Sequence, residues 1–191
     1  MSTLDLVSRF GPCKPQAADD WSSDAPLPTT VKTFYWEVGP MGEPGPRGPS
    51  GVTLPTPGGG GVWLPPLSRL RAAQDGYRYD GRTAARFEGW PDPWWVIGQL
   101  DGDALVFDSV SGHALLRFHG TGTWDEGVDL PGTLDDAVAA LALIGTLTAD
   151  AGDGAFTDDF GPDPTWLQIT ARTVIARYGE TGRLALDFVT A

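Results

Sequence analysis

The run from Trp94 to His119 constrains the fold more than any other part of the chain. Trp94-Trp95-Val96-Ile97-Gly98-Gln99-Leu100 leads into Asp101-Gly102-Asp103. Ala104 to Val110, the pair Ser111-Gly112, and His113 to His119 then follow. Apolar and aromatic residues fill each run, and Asp-Gly and Ser-Gly are turn formers. The segment therefore reads as three strands joined by tight turns, an antiparallel meander. In the third strand Ala114, Leu116 and Phe118 share one face, and His113, Leu115, Arg117 and His119 the other. The first of these faces is the more apolar and needs a cover.

Helices on both sides of this run supply one. Ser2 with Asp5 three residues on is a variant of the capping box. Leu6, Val7 and Phe10 form a short apolar stripe that Gly11-Pro12 ends. Pro28 fits the first position of a second helix, with Leu27 as its staple. Val31, Phe34, Tyr35 and Val38 share one face, and Gly39-Pro40 stops it. Thr133, with Asp136 three residues on, caps a helix whose residues 137–144 are apolar all round, so it packs on more than one side. Asp163 and Pro164 open a last helix with Leu167, Ala171, Val174, Ile175 and Tyr178 on one face, ended by Gly179. Leu184, Leu186 and Phe188 alternate after it, which suggests a final strand, with a short helix as the alternative.

The stretch 39–61 is rich in Pro and Gly. Gly39 to Ser50 holds four consecutive Gly-X-Y triplets. Four triplets make little inter-chain contact and the period stops there, so an extended polyproline-type loop is expected rather than a collagen helix. Gly58 to Gly61 lacks a following Gly-Lys-Ser/Thr, so it is not read as a phosphate loop. Val62 to Leu64 reads as a strand and Leu67 to Gln74 as helical. In residues 76–92, Arg78, Arg82 and Arg86 lie among Tyr77, Tyr79 and Phe87. A solvated loop is expected there rather than an RNA-binding patch. The fold class that results is α+β, an antiparallel meander sheet with helices packed against it.

Charge narrows the function. The chain carries 25 Asp and Glu against 13 Lys and Arg. Residues 101–163 hold thirteen of the acids and only Arg117 as a base. Such a surface repels phosphate, which argues against a nucleic-acid grip or an anionic membrane, and favours a basic protein partner. No apolar run is long enough to span a membrane, and the N-terminus has no basic segment followed by an apolar core, so no signal peptide is expected. With the single Cys13, a reducing cytoplasm is the expected setting.

Catalytic and metal-binding patterns are absent. His113 and His119 are the only histidines and would need a third metal ligand from elsewhere. Asp150, Asp153, Asp158 and Asp159 make an oxygen-rich cluster that reads as a hydrated loop, and they are the one place where a metal-dependent hydrolase would be sought. No catalytic residue, metal or cofactor is therefore assigned. The candidate partner-binding residues are Asp101, Asp103, Asp125, Glu126 and Asp129, with Trp124 as an aromatic anchor.

Several segments in this order resemble the SUKH superfamily, small domains that include a cell-wall-synthesis regulator. Leu27-Pro28 through Phe34-Tyr35 to Gly39 resembles its opening helix. Trp63-Leu64-Pro65-Pro66-Leu67 resembles its strand and following segment. Trp95 to Asp108, with Gly98 and Asp101-Gly102, is similar to its central hairpin, and Leu134 to Leu147 falls where its C-terminal helix stands. The chain departs in three places: the insert 39–61, Asp103 where a second Gly is usual, and residues 150–191. The resemblance implies a SUKH-like domain over 1–149 and a helix–strand extension over 150–191 packed on it. It also implies a non-enzymatic role. Bacterial members are mostly immunity proteins that neutralise a cognate toxin, often a nuclease, in the cytoplasm. A regulatory scaffold for an endogenous partner is the alternative.

Overall fold

A computed structural model describes residues 1–21, 25–46, 48–120, 123–159 and 161–190. Six strands form one sheet: β3 (Val52–Pro55), β4 (Gly61–Leu64), β5 (Trp94–Leu100), β6 (Asp103–Asp108), β7 (Ala114–Arg117) and β8 (Gly127–Leu130). Each pairs antiparallel with the next, so spatial order equals chain order. A two-residue ribbon, β1 (Pro44–Gly45) with β2 (Gly48–Pro49), precedes it. The expected meander is present as β5 to β7, with Val106 opposite Leu115 and Phe107 opposite Ala114.

Two of the six strands were not expected from the sequence. Within the Pro/Gly-rich insert, Val52 and Leu54 alternate inward and are fully buried, and they make β3 the first edge of the sheet. Pro55 ends that strand at an edge, where a residue without an N–H is tolerated. The segment before the buried helix contains β8, the opposite edge, paired with β7 from Ala114–Leu130 to Arg117–Gly127.

One face of the sheet carries Val52, Leu54, Leu64, Trp95, Ile97, Phe107, Leu116 and Leu130 into the main core. Helices α1 (Thr3–Val7), α2 (Thr29–Glu37) and α4 (Leu134–Ala151) contribute to that core, and the short α3 (Leu67–Leu70) adds Leu67 and Leu70. Both predicted capping boxes form: Ser2 with Asp5, and Thr133 with Asp136. The apolar α4 packs on α1, on β3 and on α5 (Pro164–Thr190), which is why it needs no polar face.

The expected final strand is helical. Helix α5 continues past a reversal at Gly179 to Thr190. The buried positions of this arm are Thr181, Gly182, Ala185, Leu186, Phe188 and Val189, spaced for a helix, whereas Leu184 of the alternating set is only half-buried. The extension after residue 150 is thus a bent helix joined to the main core by Val174, Leu186 and Phe188.

The opposite face of the sheet is also covered. Tyr77 and Trp90 bury Val96, Ala104, Val106 and Leu115, with Trp94 and Trp124 at the margin. The covering segment is the one expected to be a solvated loop. Its Arg78 is instead 7% exposed, donates to the carbonyls of Asp92 and Trp94 at 2.9 and 3.0 Å, and stacks over Trp95. Arg86 pairs with Asp92. Arg78 therefore ties the loop to the start of β5, and Arg86 braces the loop on itself. Four aromatic residues between Tyr77 and Trp90 were the signal that this loop is a cover.

Candidate functional site

Because every strand is antiparallel to the next, three connections meet at one end of the sheet: 56–60, 101–102 and the one from β7 to β8, of which 118–120 and 123–126 are described. They contain Asp101, Asp125 and Glu126, with Asp103 beginning β6, and no Lys or Arg. Five of the six candidate residues are brought to this end, counting Trp124.

Each is held differently. Asp101 at φ +50° and Gly102 at φ +97° occupy the two left-handed positions of a tight hairpin turn, where Asp is among the few side chains tolerated. Asp101 is exposed, and its Oδ2 lies close enough to Gly60 that a Cβ there would stand 2.6 Å away. Asp103 is half-buried and accepts the His119 N–H at 2.6 Å, fastening the start of β6 to the end of β7. Asp125 and Glu126 are exposed.

Trp124 is more than an exposed anchor. Its ring centroid is 5.0 Å from Trp90, 5.4 Å from Tyr77 and 6.3 Å from His119. It packs at the margin of the second core and also lines a hollow of about 450 Å³ shared with Phe87, Glu88 and Asp125. A second hollow of about 390 Å³ opens between Leu100, Phe118, Phe188 and Val189, with Asp101 and Asp103 on its rim. Apolar floors ringed by carboxylates suit the stem and charged head of Lys or Arg. Phe87, Phe118 and Phe188 were not among the sequence candidates. The first lay in the assumed loop, and Phe118 and Phe188 stack on one another at 5.6 Å from elements 70 residues apart in the chain.

Asp129 stands apart. It lies within β8 opposite Leu115 and pairs with Arg117 at 2.5 Å. Arg117 is itself buried and stacks over Trp94. This acid serves the second face of the sheet and is not part of the free acidic end.

Tyr77 links that face to the acidic turn. Its hydroxyl donates to the Gly102 carbonyl at 2.6 Å, and burial, reinforced by Asp103, pushes its pKa up to about 12. Cys13 is half-buried and burial pushes its thiol up to about 11, so it is protonated at neutral pH. Among the described residues no group of three or more His, Cys, Asp or Glu is placed to hold a metal ion. No helix among them is long and apolar enough to cross a membrane.

Comparison with protein-family models, with curated proteins and with solved structures returns no match to this chain.

Proposed function

We propose that the chain is a non-enzymatic binding protein that docks a basic protein partner on the end of the sheet formed by 56–60, 101–103, 118–120 and 123–126. The observation that carries this reading is the gathering there of Asp101, Asp103, Asp125 and Glu126, without a Lys or Arg, around two apolar hollows. A uniformly negative rim steers a cationic partner and the hollows supply apolar contact. The partner class follows from the motif resemblance: a cognate toxin with a basic, nuclease-like groove, neutralised in the cytoplasm by an immunity protein of SUKH type. A dense carboxylate surface can occupy a groove shaped for phosphate and make charge-assisted hydrogen bonds within it.

Co-expression with a candidate toxin domain, sought among neighbouring genes, tests the reading. The expected result is rescue of growth and a purified complex. The triple variant Asp101→Lys, Asp125→Lys, Glu126→Lys is expected to slow association and to flatten its dependence on salt. Failure to rescue from a toxin shown to be active would overturn the immunity role. An unchanged association rate in the triple variant would overturn the acidic end as the docking surface.

A further inference from the structure

Arginine is held in one recurring way within this chain. Arg71 lies over the Tyr79 ring, with Cζ 4.0 Å from its centre, and pairs with Asp75 at 2.7 Å. Arg117 lies over Trp94 at 4.8 Å and pairs with Asp129 at 2.5 Å. In both places an aromatic ring lies under the guanidinium while a carboxylate accepts one of its N–H groups.

The hollow beside Trp124 has the ring and the carboxylates without the arginine. Trp124 stands at the margin of the second core, as Trp94 does. Arg117 covers Trp94, whereas Phe87, Glu88 and Asp125 frame Trp124 around an open hollow that no Lys or Arg among the described residues lines. Phe87 is 39% exposed, so part of a second ring is free there. Glu88 and Asp125 come from two separate connections and are both exposed. Neither enters a hydrogen bond or an ion pair among the described residues. Gly76 and Gly89 complete the wall, and a Cβ built at either meets no atom within 4 Å.

We propose that this hollow takes an arginine side chain of the docked partner, its guanidinium lying against Phe87 and Trp124 and donating to Glu88 and Asp125. The occupant rests on the acidic end being the docking surface, and its chemistry narrows to arginine for two reasons. A guanidinium can lie on a ring and still donate in its own plane to carboxylates, whereas the ammonium of lysine is a compact, strongly hydrated point charge. An apolar side chain would leave both carboxylates without a partner, and an anion would be repelled by them. The hollow at Phe118 and Phe188 is less suited. Those rings stack on one another, and Asp103 already accepts the His119 N–H.

The probe is the peptide Gly-Gly-Arg-Gly-Gly, acetylated and amidated so that only the side chain is charged, with the lysine and citrulline peptides as matched controls. Each is titrated into the full chain at fixed ionic strength while NMR follows the indole N–H of Trp124, assigned by its loss in Trp124→Phe. The arginine peptide is expected to shift that signal saturably, with half-saturation at about 10 mM or below. The lysine and citrulline peptides are expected to bind at least about threefold more weakly. Glu88→Gln removes one charge from an exposed side chain without a partner, and Phe87→Leu keeps the apolar contact and removes the ring. Each is expected to weaken the arginine peptide about two- to fivefold. Asp153→Asn makes the same change in net charge at an exposed site outside the hollow and is expected to leave the affinity unchanged. Should Phe87→Leu fail to fold, Glu88→Gln decides. No saturable shift of Trp124, equal binding of either control peptide, unchanged affinity in Glu88→Gln, or an equal loss in Asp153→Asn would each overturn the assignment. The peptides require no toxin, so these results judge the hollow alone, while rescue by co-expression judges the immunity role.

Discussion

The side chain of Gln74 pairs with the main chain of Val96 as a neighbouring strand would. Its Oε1 accepts the Val96 N–H at 3.0 Å, and its Nε2 donates to the Val96 carbonyl at 2.8 Å and to the Leu70 carbonyl at 3.0 Å. Strand β4 meets β5 in register only at Trp63 and Gln99, so Val96 has no strand partner on that side. The buried amide replaces one.

Gln74→Leu keeps the volume and leaves two buried main-chain groups of Val96 unpaired. Each such group costs about 1–3 kcal/mol, so a loss of roughly 2–6 kcal/mol in unfolding free energy is expected. Urea denaturation monitored by tryptophan fluorescence measures it. A loss well under 1 kcal/mol would show that the pairing with Val96 contributes little.

The central strands and the helix caps were legible in the sequence because each rests on neighbours. Asp101-Gly102 sets a hairpin by itself, and Thr133 with Asp136 sets a helix start by itself. The two edge strands were not legible. Val52 with Leu54, and Val128 with Leu130, offer only two alternating apolar residues each, among Gly and Pro, and gain strand geometry by pairing with β4 and β7. The acidic end was legible as charge and not as shape. Nothing local indicates that the connections at 56–60, 101–102, 118–120 and 123–126 converge. Nor does composition separate Asp129, which has Arg117 as a partner across the sheet, from Asp125, which lies on the exposed connection.

That difference has a measurable consequence. Arg117 is 8% exposed in its side chain, with an Nε that has no acceptor, and its counter-ion Asp129 is 73% exposed. Asp129→Asn leaves a buried cation short of its anion. Discounted for the solvent around Asp129, the expected loss is about 1–2 kcal/mol. Asp125→Asn and Glu126→Gln are surface changes expected to stay within about 0.5 kcal/mol. Chemical denaturation of the three variants side by side checks the ordering. An Asp129→Asn variant as stable as the parent would return that residue to the set of free acids.

Alkaline pH is expected to destabilise the fold through its buried phenols. Tyr77 titrates near 12 in the folded chain against about 10 when unfolded. The folded state therefore holds the proton more tightly. The stability this provides is fully present below pH 10 and is lost as pH rises through 12. Tyr35 shifts in the same direction, its hydroxyl buried on the Pro65 carbonyl. The loss attributable to Tyr77 by pH 12 is on the order of 2 kcal/mol. Unfolding curves between pH 9 and 12 measure it, and Tyr77→Phe should make the fall shallower. Absorbance at the phenolate band should show Tyr77 ionising later than an exposed tyrosine. A phenol titrating near 10 in the folded chain would contradict its burial against Gly102.

The reversal in α5 separates two ways in which a glycine can be required. Gly179 has φ +55° with open space around its Cα, so an added Cβ meets no atom and only the left-handed backbone opposes it. Gly182 has ordinary helical backbone, but a Cβ there would lie 2.6 Å from the Val174 carbonyl oxygen and 2.7 Å from its Cγ1. The arm after the reversal thus presses on the arm before it at this one residue. Gly179→Ala is expected to cost about 1–3 kcal/mol, because φ +55° with ψ −131° is a backbone region that residues with a Cβ rarely enter. Gly182→Ala must push the arms apart and loosen Leu186 and Phe188 from the core, at an expected cost of about 2–3 kcal/mol. Thermal unfolding ranks the two, and hydrogen exchange over 180–190 shows whether the second arm detaches. If Gly182→Ala costs well under 1 kcal/mol, the arms are not held in contact at Val174.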